Sequence, residues 1–304
     1  MSKITVIHHS ADFDGLFCRE IARKFLPTAD LIGWDYGQPK PVIPPDVETI
    51  YILDLSPECL GGDTYDPAKL VWIDHHKSAI EKFPATIPGY RIDGVAACRL
   101  AWQWFSLHLG TPNPERFALP LKEHFVNREL HEPFAVQLAG EYDVWDKRNP
   151  AVDTFQLGLH AQELKDHHWA MLLSMDQASV FGESLLQKGA MIQDYVNRRD
   201  AEIIESSGFI TEFEGLKFLA LNSASKGSLQ FAARDVPETG HDALMKFNFT
   251  GTCWDVSLYH AKHRTDLDLS VIAVRYGGGG HRGACGFRMD KITPITWWVC
   301  AKSK

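Results

Sequence analysis

The chain has 304 residues, of which 45% are hydrophobic, 11% aromatic and 23% charged. These values are typical of a globular protein and argue against disorder. No run of about 18 consecutive apolar residues occurs, which excludes a predicted membrane span. The start also lacks the pattern of a secretory signal, so we expect a cytoplasmic protein that does not bind membranes. The net charge of −8 disfavours binding of long duplex DNA but allows a small anionic substrate.

The cysteines are widely spaced and never form a Cys-x-x-Cys pair. This spacing matches neither a zinc ribbon nor a dense disulfide framework. We therefore expect free thiols, as in a reducing compartment. The six cysteines are Cys18, Cys59, Cys98, Cys253, Cys285 and Cys300.

Three short apolar runs near the N-terminus are each followed directly by acidic or imidazole side chains. The runs are Ile4–Ile7, Thr49–Leu53 and Leu70–Ile73. They are apolar on both faces and are separated by helix-compatible segments such as Gly15–Phe25, a pattern that predicts a buried parallel sheet. In open α/β sheets the chemistry gathers beyond the carboxyl ends of the strands. The sequence therefore predicts a polar site at that edge of the sheet.

The second half carries a long helical pattern followed by another α/β pattern. Phe181–Ile204 predicts one connecting helix, which Gly208 would end. Further strands are predicted at Leu216–Leu221, Ala243–Phe249 and Trp254–Tyr259, and further helices at Ala96–His108 and near Leu269–Tyr276. We predict an N-terminal parallel-sheet α/β domain with helices on both faces (1–185), a helical linker (186–210) and a smaller C-terminal α/β domain (211–304).

The first polar segment, HHSADFDG, begins at His8 and leaves the first strand. A tight turn there can aim Asp12 and Asp14 at two neighbouring cations, with His8 supplying a nitrogen ligand. The alternative is an acidic turn that caps the following helix, because aspartate is a favoured N-cap.

The next two polar segments follow the second and third strands. Asp54 at the end of a buried run is costly unless it is paired, capped or bound to metal, and it could instead cap the turn at Pro57. Asp74 could accept a hydrogen bond from a ring N–H of a following histidine and fix its tautomer. His75 and His76 could then divide their tasks between metal and substrate, or they could be an ordinary surface pair.

A fourth polar segment, EYDVWD at 141–146, holds three acids and could also be a solvated loop. Later, Gly277–Gly280 can turn successive backbone N–H groups toward an anion, although a flexible turn is the alternative. His281 and Arg282 would add charge-assisted donors. Aromatic residues such as Trp145 could stack on bases, but we expect most tryptophans in the core.

Taken in this order, the four polar segments resemble the motifs of the DHH phosphoesterase superfamily. GGGGHRGACGF at 277–287 likewise resembles the signature of the DHH-associated C-terminal domain. The resemblance spans nearly the whole chain and points to nanoRNase-like and oligoribonuclease-like members. It implies two divalent metal ions, with Mn²⁺ favoured and Mg²⁺ or Co²⁺ as alternatives, and a bridging hydroxide that attacks phosphorus.

The resemblance also implies a role for each matching residue. The implied metal ligands are His8, Asp12, Asp14, Asp54, His75 and Asp143, with Asp54 bridging both metals. The spacing of four residues before Asp12 selects His8 over His9. The residues implied in catalysis are Asp54, Asp74 and His76. Those implied in substrate binding are His76, Gly278, Gly279, Gly280, His281 and Arg282.

One departure concerns the substrate. Tyr259 stands where many nanoRNase-like relatives have an arginine, which argues against transferring a 3′-phosphoadenosine phosphatase activity. We expect a phosphodiesterase that hydrolyses short oligonucleotides to nucleoside monophosphates. The alternatives are a phosphomonoesterase or exopolyphosphatase using the same metals, and a non-catalytic nucleotide-binding module. Analogy with the family also predicts a homodimer.

Overall fold

The computed structural model describes residues 3–61, 66–110, 118–174, 180–225 and 227–290. The chain divides into two compact units, Met1–Gln193 and Asp194–Lys304, and the division falls inside one long helix. The three-part division at 185 and 210 remains a prediction.

The first unit is built on a parallel sheet, as predicted. Its strands are β1 (Ile4–His9), β2 (Asp30–Trp34), β3 (Thr49–Leu53), β4 (Leu70–Asp74) and β5 (Gly89–Arg91). The strand order is β2-β1-β3-β4-β5, and every adjacent pair is parallel. All carboxyl ends therefore lie along one edge, with the ends of β1, β3 and β4 side by side.

Apolar side chains of the sheet alternate between two cores, because successive strand residues point to opposite faces. On one face, Ile73 belongs to a core with Phe17 and Leu100 from two helices. On the other face, Trp72 packs in a core with Ala79. The prediction that helices cover both faces of the sheet is confirmed.

The helices are α1 (Phe13–Phe25), α2 (Lys77–Lys82), α3 (Ala97–His108), α4 (Lys122–Val126), α5 (Phe134–Asp143), α6 (Ala151–His160), α7 (Asp166–Leu172) and α8 (Val180–Ser207).

The second unit is a smaller α/β unit with a mixed sheet. Its elements are β6 (Phe209–Phe213), β7 (Leu216–Asn222), β8 (Ala243–Phe249), β9 (Trp254–His260), α9 (Ser270–Arg275), β10 (Gly279–His281) and β11 (Ala284–Met289). The strand order is β10-β11-β9-β8-β7-β6. Only β7 and β8 pair in parallel, among the strands described. Ile272 of α9 packs in the core of this sheet with Phe218 and Phe287.

Short 3₁₀ turns and the cysteines complete the description. The turns are Pro57–Leu60, Pro67–Lys69, Leu229–Phe231 and Pro237–Thr239. The five described cysteines are free thiols, and Cys300 lies outside the described residues. Burial raises the pKa of Cys285 to about 11, which keeps this residue a thiol at neutral pH. None of the described helices is long and apolar enough to cross a membrane.

Candidate metal centre

The turn that follows β1 is held by backbone hydrogen bonding and by close packing. Asp12 is the N-cap of α1, and its Oδ1 accepts a hydrogen bond from the N–H of Gly15 at 3.0 Å. A Cβ on Gly15 would lie only 2.1 Å from the carbonyl oxygen of His9. This position therefore requires glycine. Asp12 therefore caps α1, which was the alternative to metal binding in the sequence analysis. Its second carboxylate oxygen, Oδ2, still faces the edge of the sheet beside His9.

His9, rather than His8, joins Asp12 at this edge. Nδ1 of His9 lies 2.8 Å from Oδ2 of Asp12 and 3.3 Å from Oδ2 of Asp54. Nδ1 of His8 instead lies 2.7 Å from the backbone carbonyl of His9, and no described group of metal-donor residues contains His8. Consecutive strand residues point to opposite faces, so only one of the two can face the acids. His9 is therefore the imidazole that the described contacts bring to the acids, and the choice of His8 from spacing stays a prediction.

His75 lies among three carboxylates. Its Nε2 is 3.6 Å from Oδ2 of Asp14, 3.4 Å from Oδ1 of Asp54 and 3.3 Å from Oδ2 of Asp143. Asp14 also accepts hydrogen bonds from the backbone N–H groups of Ala97 and Cys98 at the start of α3, at 2.8 and 2.7 Å. The first turn of α3 thus fixes the Asp14 carboxylate beside His75.

Asp54 faces both histidines. Oδ2 points toward His9 and Oδ1 toward His75. The residue has a φ of 58°, a left-handed conformation that is rare outside glycine. Its N–H donates to the carbonyl of Ile73 at 3.0 Å. The strained turn directs a buried carboxylate between two groups of donors.

Asp74 holds the ring of His76. Its Oδ1 lies 2.7 Å from Nδ1 of His76 and accepts the backbone N–H of His75 at 2.7 Å. Since a carboxylate accepts, the proton of His76 is assigned to Nδ1 in this contact. The His76 side chain is 47% exposed and borders an open pocket of about 350 Å³, together with Tyr36, Ser56 and Lys82.

Comparison with known proteins identifies the fold. No model of a known protein family matches the chain. Over 235 residues the chain is 24% identical to the uncharacterized protein R106 of Acanthamoeba polyphaga mimivirus, covering 72% of this chain and 48% of that protein. The chain therefore spans about half the length of the curated relative that it matches.

Two solved structures are similar over 95% of this chain. The pGpG-specific phosphodiesterase PggH from Vibrio cholerae matches with a TM-score of 0.51 at 16% identity, over 94% of its chain. The DHH domain of a member of the s1p family of ribosomal proteins matches with a TM-score of 0.52 at 13% identity, over 82% of its chain. The chain has the DHH fold. At these identities the likeness establishes the fold, and the activity has to be argued from the site.

In this DHH fold the buried acids repel one another. Burial raises the pKa of Asp14 to about 7, and the neighbouring Asp54 adds to the effect. Burial likewise raises the pKa of Asp143 to about 7, with repulsion from Asp14. For the imidazoles burial acts in the opposite direction, but the surrounding carboxylates outweigh it and raise the pKa of His9 to about 11 and that of His75 to about 10. When no metal is bound, His9 and His75 are therefore protonated at neutral pH, and their positive charge offsets the repulsion between the acids.

The donor chemistry fits divalent cations. At this edge, three groups of described residues have donor atoms within 4.8 Å of one another: His9, Asp12 and Asp54; Asp14, His75 and Asp143; and Asp54, Asp74, His75 and His76. Oδ2 of Asp143 and Oδ2 of Asp74 are buried and form no hydrogen bond within the part of the chain that the structure describes. Mixed carboxylate and imidazole donors suit Mn²⁺ and similar ions. Buried anionic oxygens without a donor are the feature that a cation satisfies.

Only one acid of the 141–146 segment faces the centre. Glu141 pairs with Arg128 at 2.5 Å, and Asp146 pairs with Arg148 at 2.5 Å. Asp143, at the end of α5, is the acid of this segment that lies beside His75. The sequence also missed Asp35, whose Oδ1 lies 3.2 Å from Nε2 of His9. Asp35 follows β2 directly, and this is the same signal that identified the other acids.

Backbone hydrogen bonds within the second unit involve much of the segment Gly277–Gly280. The N–H of Gly277 donates to the carbonyl of Val274 and that of Gly278 to the carbonyl of Ala273, which caps α9. These two N–H groups are therefore not available to an anion in this structure. Gly279, Gly280 and His281 form β10 and pair with β11. Their role in substrate binding remains a prediction.

Arg282 is engaged in the same region. Its Nε donates to the carbonyl of Leu267 at 3.2 Å, and its Nη2 donates to the carbonyl of Asp266. His281 is exposed. A role for Arg282 in binding a phosphate would require it to share or exchange these carbonyl contacts, so this role also remains a prediction.

Proposed function

We propose that the chain is a metal-dependent phosphodiesterase that hydrolyses short oligonucleotides to nucleoside monophosphates. The observation that carries the proposal is the position of Asp54, whose two carboxylate oxygens face two different groups of metal donors. The fold supports the proposal, because PggH, a pGpG-specific phosphodiesterase, is similar over most of its length.

Two of the three donor groups would each hold one cation. His9 and Asp12 would bind the first, Asp14, His75 and Asp143 would bind the second, and Asp54 would contact both. Mn²⁺ is the favoured ion, with Mg²⁺ and Co²⁺ as alternatives. Two such cations lower the pKa of a shared water and offset the charge that develops on the phosphoryl oxygens.

The protein's own contribution includes orienting His76 toward the substrate. The hydrogen bond to Asp74 raises the pKa of His76, against the effect of burial. A protonated ring held through Nδ1 can donate from Nε2 to a phosphate oxygen. Lys82 lines the same pocket, although it also pairs with Glu58. This pocket is a suitable place for the anionic part of a substrate.

An exposed aromatic side chain favours a substrate that carries bases over inorganic polyphosphate. Trp145, two residues after Asp143, is 67% exposed and has a φ of 59°. The ammonium of Lys147 lies 3.8 Å from the ring centroid of Tyr142 and 5.0 Å from that of Trp145. By contrast, Trp34 and Trp72 are buried. An exposed indole that contacts the ammonium of Lys147 and lies close in sequence to the proposed metal ligand Asp143 is suited to stacking on a nucleobase.

The test is a substrate panel analysed by mass spectrometry. Purified protein with Mn²⁺ is incubated with di- to pentanucleotides of RNA and DNA, with a long single strand and with polyphosphate. We expect mononucleotides from the short set, loss of turnover in Asp54→Asn, and full activity in Asp30→Asn, which removes an exposed acid on the same sheet.

The other outcomes separate the alternatives. Release of inorganic phosphate without mononucleotides would assign a phosphomonoesterase or exopolyphosphatase to the same centre. Nucleotide binding without turnover under any divalent metal would indicate a non-catalytic module. Either result would overturn the proposed activity.

A further inference from the structure

The second unit contains a buried group of metal-donor side chains that the proposed function does not use. Asp235, His241 and His263 each offer one donor atom, and these three atoms lie within 4.8 Å of one another. Asp235 and His241 are 5% and 3% exposed, and His263 is half-buried. One carboxylate and two imidazoles form a ligand set that is typical of Zn²⁺ sites with three protein ligands.

Two ring nitrogens of this group have no hydrogen-bond partner among the described residues. Nδ1 of His241 and Nδ1 of His263 are both buried and unpartnered. Nε2 of His263 lies 2.9 Å from the backbone carbonyl of His241. A carbonyl only accepts, so the proton is assigned to Nε2, and Nδ1 presents a bare lone pair. Histidines that bind metal commonly donate their other ring N–H to a carbonyl in this way.

The carboxylate of Asp235 supplies the negative charge. Oδ1 lies 3.0 Å from Nε2 of His241, and the backbone N–H of Lys262 lies 3.4 Å from Oδ1 and 3.3 Å from Oδ2. Among the described side chains, no lysine or arginine forms an ion pair with Asp235. The only side-chain partner of Asp235 among the described residues is thus an imidazole, and a bound cation would offset the charge of this buried carboxylate.

The three residues come from two connecting segments at one end of the second sheet, the one between β7 and β8 and the one after β9. Asp235 precedes the 3₁₀ turn at Pro237–Thr239, His241 precedes β8, and His263 follows β9. The segment after β9 also supplies the two carbonyls that accept hydrogen bonds from Arg282. A cation bound by all three residues would cross-link these loops and fix the segment that anchors Arg282.

We propose that Asp235, His241 and His263 form a structural Zn²⁺ site, separate from the centre in the first unit. Water would complete the coordination, as is usual where the protein provides three ligands. The site would stabilise the second unit and the position of Arg282. It does not depend on the proposed phosphodiesterase activity.

The test measures the zinc content of the full-length protein after equilibration with buffered free Zn²⁺. Wild type is compared with His263→Gln, with Asp54→Asn and with His167→Gln, which removes an exposed histidine of the first unit. We expect His263→Gln to bind one equivalent less than wild type, while His167→Gln matches wild type. Asp54→Asn should keep the equivalent that depends on His263, so failure of the first centre would be seen separately.

A second measurement tests the site without the His263 variant, in case that variant does not fold. Co²⁺ is titrated into Asp54→Asn protein, which contains all three ligands of the proposed site, and the visible spectrum is recorded. We expect the strong absorption of four-coordinate Co²⁺, and we expect excess Zn²⁺ to abolish it. Equal zinc content in wild type and folded His263→Gln, or no such absorption, would show that Asp235 and His241 form an ordinary buried hydrogen bond.

Discussion

Asp54 combines a left-handed backbone, near-complete burial and contacts with two imidazoles. No single one of these features indicates a metal ligand, but a carboxylate held in a strained turn between two donor groups has few other uses. Strain of this kind costs on the order of 1–3 kcal/mol and persists where the surrounding structure enforces it. Here the enforcement comes from the hydrogen bond between the Asp54 N–H and Ile73 on β4.

The grouping of most candidate residues could be predicted from the sequence, but the identity of the first histidine could not. Acids directly after apolar runs indicate the carboxyl edge of a parallel sheet, which is why Asp14, Asp54 and His75 were expected together. Choosing between His8 and His9 requires knowing which face of β1 is turned toward the acids. Spacing along the chain does not contain that information, because the turn after the strand sets the direction of Asp12.

The assignment of His9 leads to a direct prediction. His9→Ala should weaken Mn²⁺ binding by at least about tenfold, because it removes the imidazole beside Asp12 and Asp54. His8→Ala should lower stability, since His8 is 3% exposed, but it should leave Mn²⁺ affinity close to that of wild type. Isothermal titration calorimetry of both variants checks this. Normal affinity in His9→Ala with loss in His8→Ala would restore the choice made from spacing.

At the scale of elements, the long and strongly patterned segments could be predicted and the short ones could not. The bounds of β3 and β8 agree with the sequence prediction, and α8 extends the predicted helix by only a few residues. The strand β2 was missed because it is short, has a single buried residue and contains Gly33. The short helices around α5 were missed because a helix of few turns has too few residues to show a period.

The end of α5 leads to a prediction about substrate recognition. Trp145→Ala should raise the KM for dinucleotides about tenfold, since stacking on one base is worth about 1–3 kcal/mol, and it should leave kcat nearly unchanged. Trp145→Phe should recover most of the affinity. Steady-state kinetics measures both parameters.

A control separates stacking from a general effect of removing an exposed ring. Phe249→Ala removes an aromatic side chain of the second unit that is 55% exposed, and it should leave the KM unchanged. If Trp145→Ala has the KM of wild type, the indole does not contact a base, and the preference for nucleotides over polyphosphate loses its support.

At the scale of the whole molecule, the charged groups of the metal-free centre make the free energy of unfolding depend on pH. Asp14 and Asp143 have folded pKa values of about 7, above the ordinary 3.8, so their contribution to stability is lost as pH rises through 7. His9 and His75 have folded pKa values of about 11 and about 10, above the ordinary 6.5. Their contribution is complete below 6.5 and is lost as pH rises toward those values. All four groups therefore destabilise the metal-free protein as pH rises.

Metal-free protein should consequently become less stable between pH 7 and pH 9. Each histidine contributes a slope of up to about 1.4 kcal/mol per pH unit. His8 has the opposite sign, because burial lowers its pKa to about 4, but its contribution is complete above 6.5. Calorimetric melting should show a Tm that falls over this range without metal and falls less with Mn²⁺, since the cations replace the protons. A Tm independent of pH, or the same slope with and without Mn²⁺, would contradict this.

The α/β class of the chain follows from patterns spread over many residues, so the sequence was sufficient for it, whereas the predicted domain bounds stay a prediction. The mixed sheet of the second unit was not foreseen, because strand direction depends on pairing partners far apart in the chain. The same reason hides Asp235, His241 and His263, because no motif joins them and the β7–β8 connection has to meet the segment after β9 to bring them together.

The most direct test of the central claim is a crystal structure of the Mn²⁺-loaded protein with an anomalous difference map recorded at the manganese edge. We predict two peaks about 3.5–4 Å apart, one beside His9 and Asp12 and one beside Asp14, His75 and Asp143, with one carboxylate oxygen of Asp54 directed at each. A single peak, or two peaks without Asp54 between them, would contradict the account.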